Sequence, residues 1–181
     1  VLRKRVGTLL IGAAVITGAS AVAAEASDST VTFTTTGGSL SITSAASAAL
    51  TGGTPRPGGT VSGTLGTVTV TDSRGTAAGW TAGVYSTTGF TATGSPTITN
   101  AGLTYTSGAT TSTTVPGSAT ITAGTAGSPG AGADAALTAY TYANTTAGGN
   151  IVSWNPTLAV VIPASAHSGA VYSGTISYRV V

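Results

Sequence analysis

Cysteine and methionine are absent from this 181-residue chain, and lysine and histidine occur once each, as Lys4 and His167. Without cysteine there are no disulfides and no thiolate metal sites, so burial and hydrogen bonding alone must hold the fold. Charge is scarce as well. Six basic and four acidic side chains compare with roughly a quarter of the residues in an ordinary globular domain. No acid cluster has calcium-ligand spacing, and no Gly-x-Ser-x-Gly elbow offers a nucleophile. The chemistry-bearing inventory excludes more than it permits.

Half of the basic residues, Arg3, Lys4 and Arg5, stand together at the start. They precede an apolar run, Val6 to Val22, and small residues at Ala21-Val22-Ala23 and Ala24-Glu25-Ala26. A positive n-region, a short apolar stretch and small residues at −3 and −1 predict a secretory signal peptide over residues 1–26, cleaved after Ala23, Ala24 or Ala26. Cleavage after Ala24 leaves Arg56, Arg74 and Arg179 against Glu25, Asp28, Asp72 and Asp134. The working chain then has no basic excess with which to attract nucleic acid or an anionic membrane surface. The reading expects no membrane span in the mature chain. It also expects neither covalent wall attachment nor a C-terminal anchor, because no sorting motif or apolar tail follows Val180.

What is abundant is threonine and serine interleaved with Val, Ile, Leu, Tyr and Trp, which is strand composition. Alternation predicts strands over Thr30–Thr36 and Ser39–Thr43, joined as a hairpin through Gly37-Gly38. Further strands are expected over Thr60–Thr71 with a bulge at Gly66, from Trp80 to Val84, and over Thr97–Thr106 around an Asn100-Ala101-Gly102 turn. A short candidate at Gly89-Phe90-Thr91, with Val115–Thr122, Leu137–Tyr142, Asn150–Trp154, Thr157–Pro163 and Tyr172–Val180, completes the set. Thr51–Gly59 reads as a loop and Ala123–Ala133 as a flexible one. Many short strands without a long helix predict an all-β, antiparallel β-sandwich, a single domain over residues 27–181.

Asp72 and Arg74 hold two of the few charges. Two residues apart between strand-like runs, they read as a turn closed by an Asx-type carboxylate, delivering Trp80 into the core. His167 lies in the Ser165–Ser168 loop, where a lone histidine reads as solvated. A glycoside hydrolase would have to use Asp72 and Asp134, but Asp134 lies in a Gly/Ala-rich loop and Asp72 has the better explanation as a turn-forming carboxylate. Trp154, followed by Pro156, is expected near an edge or turn, where with Tyr140 and Tyr142 it either caps the sandwich or offers a sugar-stacking platform.

Three segments together resemble the WxL family of bacterial cell-surface proteins. They are Thr71-Asp72-Ser73-Arg74-Gly75 leading into Gly79-Trp80-Thr81, then Ile162-Pro163-Ala164, and finally Tyr172 to Val180. At the family's Trp-x-Leu positions this chain reads Trp80-Thr81-Ala82 and Tyr178-Arg179-Val180. The resemblance implies a secreted domain that associates non-covalently with the Gram-positive wall, with peptidoglycan as ligand and adhesion as a role of some members. The candidate binding or structural residues are then Asp72, Arg74, Trp80, Tyr172 and Tyr178. No enzymatic activity and no cofactor or metal is expected. An alternative is a self-assembling subunit or adhesin that binds envelope proteins, since the threonine-rich strands lack the charges that usually protect sheet edges.

Overall fold

Alternating threonine and β-branched residues favour extended backbone, and Gly and Pro break the chain often enough to keep each strand short. The computed structural model describes residues 32–181, so the predicted leader and its cleavage sites lie outside the described residues. The strands are β1 (Leu40–Thr43), β2 (Gly52–Gly53), β3 (Thr60–Thr64), β4 (Val68–Asp72), β5 (Trp80–Tyr85), β6 (Phe90–Thr91) and β7 (Leu103–Thr106). They continue with β8 (Thr110–Thr114), β9 (Ala119–Ala123), β10 (Leu137–Asn144), β11 (Asn150–Trp154), β12 (Thr157–Val161), β13 (Ser173–Gly174) and β14 (Ser177–Val180). Among the described residues, helix is limited to two single 3-10 turns, Asn100–Gly102 and Ala133–Ala135.

Three four-stranded sheets run in the orders β1-β4-β11-β8, β14-β5-β10-β9 and β2-β3-β12-β7, and β13 pairs with β6. Every pairing between these strands is antiparallel. The first and third sheets share their chain. The segments 60–72, 103–114 and 150–161 are long ribbons that each leave one sheet and enter the other. Their bends coincide at Gly66, Ser107-Gly108 and Asn155-Pro156. Gly66 and Gly108 have φ of +79° and +73°, values that favour glycine. Between the Leu65 N–Pro156 O bond and the Val68–Trp154 pair, the first ribbon carries one residue more than its partner. That is the expected bulge at Gly66, and it turns the corner between sheets.

The core lies between these ribbons and the β14-β5-β10-β9 sheet. Val68, Val70, Val152 and Trp154 meet Trp80, Ala82, Val84, Tyr140 and Tyr142, and Leu103, Tyr105, Leu158 and Val160 fill the far end. At the corner, Tyr140 Oη donates to Gly108 O at 2.6 Å and Ser107 Oγ to Ala139 O at 2.7 Å.

Several expectations are corrected. Thr32–Thr36 carries no strand, and β1 pairs with β4 instead of forming an N-terminal hairpin. The Tyr172–Val180 run is two strands with separate partners, β13 on β6 and β14 on β5. The Ala123–Ala133 loop is tied down, because Gly127 exchanges both backbone hydrogen bonds with Tyr105, and Gly130 bonds Val84 and Ser86. Trp154 is neither cap nor platform. It is fully buried on a strand flanked on both sides, with Tyr140 against it.

Candidate functional site

The turn after β4 is built from one carboxylate. Asp72 Oδ1 accepts from Arg74 N at 3.0 Å and from Arg74 Nε at 2.9 Å, and Oδ2 accepts from Arg74 Nη2 at 2.8 Å. The same Nη2 donates to Gly79 O at 3.0 Å, which pins the far end of the turn. Asp72 is buried and Arg74 covers it from the solvent side. Arg74 holds the Asp72 carboxyl below its ordinary range, chiefly through the side-chain hydrogen bonds and against the opposing effect of burial. Gly75, with φ of +70°, reverses the chain in open space.

The network continues inward. Asn150, opposite Asp72 in register, donates from Nδ2 to Asp72 Oδ2 at 3.3 Å. Its Oδ1 accepts from Trp80 Nε1 at 2.9 Å, and the Trp80 ring stacks on Tyr142 with centroids 5.5 Å apart. A charge at the surface is thereby linked to the orientation of a buried indole. Burial, and then the Asp72 charge, push the Tyr142 hydroxyl above its usual pKa.

β5 and β14 are neighbours, so the two segments at the Trp-x-Leu positions lie side by side although about a hundred residues separate them in sequence. Val180 faces Ala82 and Tyr178 faces Val84, and Thr81 exchanges backbone hydrogen bonds with Val181. Trp80, Ala82 and Val84 are buried, while Tyr178 and Val180 are half-buried against the same core. Tyr178 sits edge-on to Tyr105 at 6.2 Å, and burial raises its pKa. These motif side chains build core.

A cleft opens elsewhere, between the β6–β13 ribbon and the irregular chain from Ser44 to Leu50. It has a volume of about 480 Å³ and is walled by Leu50, Val61, Phe90, Ile98, Val160 and Tyr172. Tyr172 is held there by donating from Oη to Pro96 O at 2.9 Å. A smaller hollow of about 170 Å³, reaching Leu65, Ile176 and Tyr178, shares Leu50, Phe90 and Gly174 with it. No charged side chain lines either space. The structure thus brings Tyr172 and Tyr178 to adjoining hollows, while Asp72, Arg74 and Trp80 form a separate lock. Phe90 lies on the short strand expected around Gly89-Phe90-Thr91, but nothing in the sequence alone places it beside Tyr172.

The other polar candidates stay apart. Asp134 is exposed and lies 3.5 Å from Arg179, whereas Asp72 is enclosed by Arg74 and Asn150. The backbone N–H of the exposed His167 donates to Ser95 Oγ at 3.0 Å. Among the described residues no group of three or more His, Asp or Glu is placed to hold a metal, and no helix is long and apolar enough to cross a membrane.

The sequence matches the WxL domain, described as surface cell wall-binding, over residues 29–180. The chain belongs to this WxL family of cell-wall-binding surface domains. No curated protein and no solved structure matches it.

Proposed function

We propose that this protein is secreted and held non-covalently on peptidoglycan, contacting it through the Phe90–Tyr172 cleft. The family membership over residues 29–180 carries the reading. The cleft supports it by its chemistry. Aromatic and aliphatic walls without charge suit the uncharged sugar rings of a glycan strand, whose apolar faces stack on aromatic side chains. The two tryptophans are buried in the core, so the wall contact falls to half-exposed aromatics.

Purified chain incubated with bare peptidoglycan sacculi tests this. The protein should sediment with the sacculi, and Phe90→Ala or Tyr172→Ala should weaken retention by about tenfold, the loss of one aromatic contact, with an unchanged far-ultraviolet spectrum. No retention of the unaltered chain would count against the reading. Retention indifferent to both substitutions would move the contact to another face.

A further inference from the structure

The side of the sandwich formed by β8 and β9 has a property that the opposite side lacks. These strands are the edges of facing sheets, joined directly through Val115–Ser118. Among the described residues, nothing pairs with the outer side of either strand. All five β8 side chains are exposed, and no charged residue stands between Arg74 and Asp134. Charged side chains, the common protection of an open edge, are therefore missing here.

Both edges also read identically in either direction. β8 is Thr110-Thr111-Ser112-Thr113-Thr114 and β9 is Ala119-Thr120-Ile121-Thr122-Ala123. An antiparallel pair of identical strands about a twofold axis places each residue opposite its mirror position, so a palindromic strand meets like with like. Thr110 would face Thr114 of the second copy, Thr111 would face Thr113, and Ser112 would face itself. Threonine–threonine and threonine–serine pairs are favourable cross-strand neighbours. The register irregularity opposite Ser153–Trp154 makes Thr111 an extra residue of β8 on its β11 side, so in the pair the regular Ser112–Thr114 half of each copy would face the Thr110–Ser112 half of the other. The opposite edges, β1 (Leu-Ser-Ile-Thr) and β14 (Ser-Tyr-Arg-Val), are not palindromic, and β14 carries Arg179.

We infer that two copies of this chain join edge to edge through β8 and β9, antiparallel about a twofold axis through Ser112, so that each sheet continues into its counterpart. This pairing is independent of wall binding.

Sedimentation of the purified chain over a concentration series should show a monomer–dimer equilibrium. Ser112→Lys and Ser112→Asp, each opposing like charges at the axis, should raise the dissociation constant by at least about tenfold. An equimolar mixture of the two variants should restore association, because lysine then faces aspartate. Ser41→Lys on the exposed β1 edge serves as control and should dimerise like the parent. A chain that stays monomeric throughout overturns the inference. So does a dimer indifferent to Ser112→Lys, or variants that fail to recover on mixing while melting like the parent.

Discussion

Asp72 and Arg74 form a forked ion pair in which the acceptor is buried and the donor side chain is about a quarter exposed. The pair is local, closing over a single intervening residue, yet the acceptor carboxylate also belongs to β4 and reaches Asn150 across the sheet. It joins turn geometry to sheet register.

The two partners should not contribute independently. Asp72→Ala leaves the guanidinium and the Asn150 amide without their acceptor, and Arg74→Ala leaves a carboxylate uncompensated. Each should destabilise by about 3 kcal/mol, the scale for breaking an enclosed pair. The double variant should lose clearly less than the sum, and urea unfolding of all four proteins checks the cycle.

Acid should act through the same carboxylate. Its folded pKa is depressed, so its stabilising contribution is complete above the unfolded carboxylate value of about 4. That contribution disappears as the pH falls through the folded value. Urea midpoints should therefore drop on the acid side of about pH 4. Asp72→Asn should flatten that slope at the cost of a lower plateau.

Trp80 should report on the core. Trp80→Phe keeps an aromatic face for Tyr142 but removes the indole N–H bond to Asn150, a cost of about 1 kcal/mol plus lost contact area. Trp80→Ala should cost roughly 3–5 kcal/mol. Both indoles are enclosed in the native chain. Fluorescence should be blue-shifted and resistant to acrylamide until unfolding.

Two glycines of the lock should respond for different reasons. A Cβ on Gly79 would fall 2.4 Å from Tyr142 O, so Gly79→Ala must separate β5 from β10 and should cost about 3 kcal/mol. Gly75 has open space around it but a φ of +70°, so Gly75→Ala should cost only about 1 kcal/mol. Thermal melts of the two variants distinguish packing from backbone strain.

The strands with alternating apolar residues were legible in the sequence, as was the bulge at Gly66. In β4, Val68, Val70 and Asp72 face inward while the threonines face out. β8 was not legible, because Thr-Thr-Ser-Thr-Thr has no apolar alternation and owes its extension to pairing with β11. Trp154 was misplaced because Pro156 was read as an end. The ribbon bends there and carries on, with Leu65 N donating to Pro156 O at 2.9 Å. The Asp72–Arg74 turn could be read from spacing alone. Its extension through Asn150 to Trp80 could not, since that depends on register between strands more than seventy residues apart. The cleft was equally hidden, since Phe90 and Tyr172 meet only through the β6–β13 pairing and the loop they enclose.

The shared corner has a mechanical meaning. Because three ribbons pass through it, the first and third sheets have no seam along which one can peel from the other. Tension entering through the N-terminal side at β1 reaches β4, and β4 is continuous with β3 around Gly66. Load on a tethered surface protein would thus be spread over both sheets at once. The domain should yield in a single step, without an elastic intermediate.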